Sequence, residues 1–197
     1  SLPTPTIDQR YLRRPRAYLG WPEASGIAQA HQQGIKGDGV LVGVLDTGCD
    51  ADHLEFRKKQ IDFRYVPLDP TVDTVRTCRG FDVDGHGTHV CGIIAGQHVG
   101  VAPHAELMVA SVIESETLRT SLERVVIALN GMLAEIQLEK NLHKPAIINI
   151  SLGFLPEWIN AAQIEAMSRG MQQILNTLLI DYNVLPIVAI GNDGPGR

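Results

Sequence analysis

Four short apolar runs recur along this chain: "VLVGVLD" at 40–46, "ELMVASVI" at 106–113, "AIINISL" at 146–152 and "VLPIVAI" at 184–190. Each is short, largely apolar and bounded by turn-forming residues, as a strand buried on both faces should be. Between them lie 118–140, "LRTSLERVVIALNGMLAEIQLEK", and 157–182, both with the length and apolar spacing of amphipathic helices. Strands alternating with helices imply crossovers and a mostly parallel sheet covered on both sides. The expected fold is therefore α/β, a three-layer αβα arrangement with a mainly parallel sheet. In such sheets, functional groups gather beyond the carboxyl ends of the strands.

Residues 1–20, "SLPTPTIDQRYLRRPRAYLG", lack periodicity and read as an N-terminal arm. Helical spacing begins at Trp21 and is interrupted by "GIKGDG" at 34–39. No repeat, low-complexity tract or linker marks a second domain, so 21–197 reads as a single unit. At 197 residues and 44% hydrophobic content, the chain can bury a substantial core. A net charge of −5 and one short cluster, Arg10, Arg13, Arg14 and Arg16, provide no basic face for nucleic acid. No apolar run approaches the ~18–20 residues of a membrane span, and the start lacks a signal-peptide pattern. The chain is expected to be soluble, with neither nucleic acid nor membrane as a partner; its compartment is not indicated. Cys49, Cys78 and Cys91 show no C-x-x-C spacing and read chiefly as free thiols, although one disulfide is left open.

Three stretches fall where chemistry is expected. "VGVLDTG" (42–48) ends a strand in an acid and a turn, "DGHGTHV" (84–90) opens a helix, and "IVAIGNDG" (187–194) ends another strand in Gly-Asn. Alternative readings of the single motifs are weaker. The glycines of "GDGVLVG" precede the strand, whereas a nucleotide loop joins strand to helix. "LDTG" resembles the signature of aspartic peptidases, which need two such acids, and one is present. His86 and His89 have no third zinc ligand at a sensible spacing.

Taken in order, Asp46 in "VLDTG", His86 in "DGHGTHVCG", "GVAP" at 100–103, "NISLG" at 149–153 and Asn192 in "AIGND" resemble the subtilisin-like serine peptidases. The resemblance covers about residues 21–197. It implies a serine endopeptidase acting through an Asp-His-Ser triad on peptide or protein substrates. Asp46 would orient His86, His86 would act as the base, and Asn192 would donate to the oxyanion. Gly85 and Gly87 would allow close backbone approach, and His89 would be a packed or hydrogen-bonded supporting residue. Ser151, Leu152 and Gly153 would form one edge of the substrate groove, with Ala189, Ile190 and Gly191 opposite. No cofactor or metal is implied, and the short "AGQHVGVAP" connection (95–103) lacks the calcium loop that many relatives insert there.

The family's nucleophile lies in a Gly-Thr-Ser-x-Ala motif, and none of the seven serines here has that context. The resemblance therefore implies a partner, a complementary C-terminal fragment or chain carrying the nucleophilic serine. The other reading is a non-catalytic peptide-binding or regulatory subunit that keeps the fold and the groove. Glu114 and Glu116 replace the glycines that often form one groove edge. Cys49 and Cys91 each lie within five residues of Asp46 or His86 and are expected near that pair, where bulky thiol reagents would hinder activity.

Overall fold

The computed structural model describes residues 20–69, 74–113, 120–153 and 161–189. The N-terminal arm therefore lies almost wholly outside the described residues. The chain divides into two compact units, one ending at Lys36 and the other starting at Gly37. In the first, helical spacing resolves into two short helices, α1 (Trp21–Ala24) and α2 (Ile27–Gln32), separated at Ser25 and Gly26.

The second unit is built on a six-stranded sheet. Its strands are β1 (Leu41–Asp46), β2 (Ile61–Tyr65), β3 (Arg76–Thr77), β4 (Glu106–Ser111), β5 (Ala146–Ile150) and β6 (Val184–Val188), in the spatial order β3-β2-β4-β1-β5-β6. All pairings are parallel except β2 with β3. The central strand, β1, is "LVGVLD", and all six of its residues are buried. Its side chains alternate between two cores, as a strand's period of two requires. Leu41 and Leu45 join Met108, Ala110, Ile148 and Ile150 on one face, whereas Val42 and Val44 join Leu107, Val109 and Phe63 on the other.

Helices cover both faces, giving the three layers that the alternation of elements implies. On the first face lies α4 (Leu122–Ile136), whose buried stripe Val125, Ala128, Leu129, Met132 and Ile136 follows helical spacing. It is shorter than the expected 118–140 because both ends are capped. The Ser121 hydroxyl accepts a hydrogen bond from the Arg124 amide at 3.2 Å, and the Asn141 side-chain amide donates to the Glu135 carbonyl at 2.9 Å. α5 (Ala161–Asn176) passes into a π-helical turn, Thr177–Asp181, whose Leu178 is buried in the same core. On the opposite face α3 (His86–Ala95) packs on β1 and β4 through Cys91 and Ala95.

Two strands were not anticipated. In β2, "IDFRY", Phe63 alone is buried, and Asp62 forms an ion pair with Arg64 at 2.8 Å, so no continuous apolar run marks it. β3 is a two-residue antiparallel edge, too short for any periodicity. Among the described residues, no helix is long and apolar enough to cross a membrane.

Ile148 is fully buried between β1 and the α4 layer. Ile148→Ala should lower the unfolding free energy by about 2–5 kcal/mol, the cost of lost transfer energy plus a cavity. Urea denaturation checks this, and a loss below about 1 kcal/mol would mean that the site collapses freely.

Candidate active site

Strands β1, β4, β5 and β6 run parallel, so Asp46, Ser111, Ile150 and Val188 end along one rim. At that rim α3 begins, with His86 as its first residue. Asp46 is completely buried, and its Oδ1 stands 2.7 Å from His86 Nδ1. The same oxygen accepts the Thr47 amide at 2.7 Å. A carboxylate can only accept, so Nδ1 carries the proton and Nε2 keeps its lone pair. The side chain of His86 is 52% exposed, which leaves the outer part of the ring open to solvent. Its hydrogen bond with Asp46 raises the His86 pKa above the usual 6.5; partial burial opposes this, while the charges of Asp46, Asp84 and Asp82 add to it. Chemically, the pair is an oriented imidazole that can take up a proton at Nε2 and be stabilised as the cation.

The pair is held in place by a residue that sequence reasoning missed, Asp82. The Thr47 hydroxyl donates to Asp82 Oδ1 at 2.9 Å and accepts the Gly87 amide at 2.9 Å. Asp82 Oδ2 accepts both the amide and the hydroxyl of Thr88, at 2.7 and 2.6 Å, and Oδ1 also accepts the Asp84 amide at 3.1 Å. The turn after β1 and the first turn of α3 are thus joined through a single carboxylate. Burial pushes the Asp82 pKa up, but hydrogen bonds from the Thr88 side chain and from the backbone of Gly85, Thr88 and Asp84 outweigh it and hold the group below 3.8. The available signal was the spacing of Asp82 six residues before Thr88, within an acid-rich stretch that otherwise reads as a turn.

Two glycines are required here. Gly85, the residue before α3, has φ 99°, a left-handed conformation that side chains disfavour. A Cβ on Gly87 would lie 2.1 Å from the Gly48 carbonyl oxygen, so any side chain would force α3 away from the β1 turn. His89 does not support His86 as expected. Its side chain points to solvent and takes no part in the network, because the inward positions of the helix are filled by Gly87, Cys91 and Ala95.

Ser151, Leu152 and Gly153 follow β5 directly, and Ala189 follows β6, with its amide bonded to the Ile150 carbonyl at 3.1 Å. Both expected groove edges thus start at the rim that holds Asp46. The Leu152 side chain is buried in the core, so only its backbone is available to an extended ligand. The Ser151 hydroxyl accepts from the Asn149 side-chain amide at 2.7 Å. Ile190, Gly191 and Asn192 lie outside the described residues, as do Glu114 and Glu116.

All three cysteines are free. Cys49 and Cys91 share the core beneath α3, both fully buried, and the hydrogen bond that the Cys91 thiol donates to Cys49, together with burial, raises the Cys91 pKa well above its usual value. The charges of Asp46 and Asp82 raise it further. Burial nevertheless shields both from the bulky reagents expected to reach them. In the native protein, a bulky disulfide reagent should therefore modify Cys78 alone, with Cys49 and Cys91 reacting only after unfolding. Rapid modification of either buried thiol without loss of structure would contradict this placement.

Comparison with known proteins identifies the family. The model of the subtilase family matches residues 37–197. The subtilisin-like protease PopC of Myxococcus xanthus is 52% identical over 180 residues, covering 89% of this chain and 38% of its own length. The major intracellular serine protease of Bacillus subtilis is 28% identical over 183 residues, covering 89% of this chain and 50% of its own. Among solved structures, the CspB protease of Clostridium perfringens shares the fold with a TM-score of 0.67 at 23% identity, over 88% of this chain and 40% of its own. The prenylagaramide maturation protease PagA gives a TM-score of 0.55 at 28% identity, over 86% and 52%. The chain thus spans about half the length of these relatives or less. A family match running from before β1 to beyond β6, on a sheet whose carboxyl rim carries the Asp46–His86 pair, places the chain in the subtilase family of serine proteases.

Proposed function

We propose that this chain supplies the acid, the base and the oxyanion donor of a serine endopeptidase whose nucleophile lies on a complementary C-terminal segment. The observation that carries the reading is the 2.7 Å contact between a fully buried Asp46 and Nδ1 of a half-exposed His86. That geometry gives a base in the right tautomer, with its reactive nitrogen facing where a substrate and a nucleophile would meet. Asp46 orients the ring and stabilises the imidazolium. His86 takes the serine proton and returns it to the leaving amine. Asn192, just beyond β6, donates its side-chain amide to the tetrahedral oxyanion. Protein substrates follow from the family, and an extended peptide would pair with the backbone of Ser151, Leu152 and Gly153 on one side and Ala189, Ile190 and Gly191 on the other. Every residue given a role here lies in the unit that starts at Gly37, and the proposed chemistry calls on no metal or cofactor.

The members of a triad act together, so the 197-residue chain alone should hydrolyse peptides only at the residual level, about 10³–10⁴ over water in subtilisin itself. Adding the complementary segment should restore turnover. In the reassembled enzyme, His86→Ala should abolish most of the activity, and Asn192→Ala should lower kcat roughly 10²–10³-fold, the loss known for the equivalent subtilisin donor. His86 must be neutral to accept the proton, and its pKa is raised. kcat/KM should therefore climb with pH through a midpoint above 6.5. Peptide hydrolysis followed against pH checks these outcomes, and strong turnover by the chain alone or full activity after His86→Ala would overturn the assignment.

A further inference from the structure

Two free thiols meet across the junction that fixes the Asp46–His86 pair. Cys49 lies in the turn after β1, three residues beyond Asp46, and Cys91 lies in α3, five residues beyond His86. The residues on either side of Cys49 both touch the first turn of α3. The Gly48 carbonyl oxygen lies 2.1 Å from where a Cβ on Gly87 would stand, and the Asp50 amide donates to Thr88 Oγ1 at 3.0 Å. Gly87 and Thr88 precede Cys91 by four and three residues, so the three share a helix face and Cys91 looks onto the same stretch of chain. The Cys49 backbone is itself anchored, its amide donating to the Phe81 carbonyl at 2.9 Å. Both side chains are fully buried in one core, and the Cys91 thiol donates a hydrogen bond to Cys49. Cys78, by contrast, is exposed just after β3 and has no part in that core.

We propose that Cys49 and Cys91 are a disulfide-forming pair, a covalent staple between the β1 turn and α3 that closes when the chain folds in the presence of a small-molecule disulfide. The thiolate of one cysteine attacks the S–S bond of the oxidant, forming a mixed disulfide and expelling one thiolate. The second cysteine gives up its proton, attacks the protein-side sulfur and expels the other thiolate. Two protein thiols are thereby oxidised, one disulfide is reduced to two thiols, and both protons pass from the cysteines to the leaving thiolates. Burial decides when this happens. In the folded chain neither sulfur meets solvent, and Cys91 is held as the thiol by its hydrogen bond to Cys49, by burial and by the charges of Asp46 and Asp82. Before folding is complete both thiols are open to the oxidant, and the native approach of turn and helix brings them together. Once the bond is closed, the same core shields it from reductants. An S–S bond of ~2.05 Å draws the two segments together in the sense in which the Thr47–Asp82–Thr88 link already draws them, so the staple reinforces the alignment of Asp46 and His86. The chain then carries a dithiol or a staple according to the redox poise of the place where it folds. None of this depends on the chain being a protease.

The test unfolds the 197-residue chain in urea and refolds it in reduced glutathione or in glutathione disulfide, then alkylates it under denaturing conditions and maps its peptides by mass spectrometry without reduction. The oxidised sample should give a Cys49–Cys91 linked peptide as its main cross-link, and the reduced sample should give both cysteines alkylated. A chain already folded in the reduced form and then moved to glutathione disulfide should form that link at least tenfold more slowly. The staple should raise the urea midpoint by about 1 M or more, and Cys91→Ala should make the midpoint the same in both buffers. Nitrogen NMR of the linked chain should find neutral His86 still protonated on Nδ1. A main cross-link through Cys78, glutathione left on Cys49 or Cys91 in place of the link, or no link at all would each overturn the proposal. So would closure as fast in the folded chain as during refolding, or a linked chain whose circular dichroism differs from that of the reduced one. Should Cys91→Ala misfold, the peptide map of the unmodified chain decides alone.

Discussion

Everything at the rim depends on supplying hydrogen-bond donors to one carboxyl group held out of water. An unpaired carboxylate in a protein interior is strongly disfavoured, and Asp46 is fully enclosed. The Thr47 amide and the His86 ring answer that demand by converging on its Oδ1. Because the ring is one of these two donors, burial of the acid and orientation of the imidazole are the same structural fact. The two residues are 40 positions apart, so the bond persists only if the β1 turn and the start of α3 are fixed to each other. Asp82 performs that task through Thr47 and Thr88, and the absence of a side chain at Gly87 lets the two backbones come close enough for it.

The sheet supplies the rest of the positioning. Ser111, at the end of β4, donates its hydroxyl to the Thr47 carbonyl at 2.9 Å, so the neighbouring strand also restrains the turn. The Ala189 bond to Ile150 aligns the exits of β5 and β6, from which the proposed groove edges leave. The structure is firm where the acid and base are held.

Much of this could be read from the residues, and the misses have physical causes. β1, β4, β5 and β6 announced themselves because strands buried on both sides, or built to be, are apolar throughout. β2 did not, because Asp62 and Arg64 pair with each other at the surface of a strand anchored by Phe63. Helix lengths were overestimated where a cap at Ser121 or a change to π-helical winding at Thr177 ended the regular repeat. Asp46 and His86 were legible from their motifs. The link through Asp82 was not, since hydrogen bonds between side chains leave no periodic trace. His89 was misjudged because exposure along a helix is set by its packing, and α3 turns Gly87, Cys91 and Ala95 inward while His89 is left exposed. The fate of Cys49 and Cys91 shows the same limit, as nearness in sequence to the pair could not reveal that the core encloses both thiols.

The most direct test of the account is the protonation state of one ring. In protein labelled with ¹⁵N-histidine, the two ring nitrogens of His86 can be followed by NMR against pH, with Asp46→Asn as the comparison. The account predicts that neutral His86 carries its proton on Nδ1, that its pKa lies above 6.5, and that Asp46→Asn lowers that pKa. A neutral ring protonated on Nε2, or a pKa of His86 indifferent to Asp46→Asn, would contradict it.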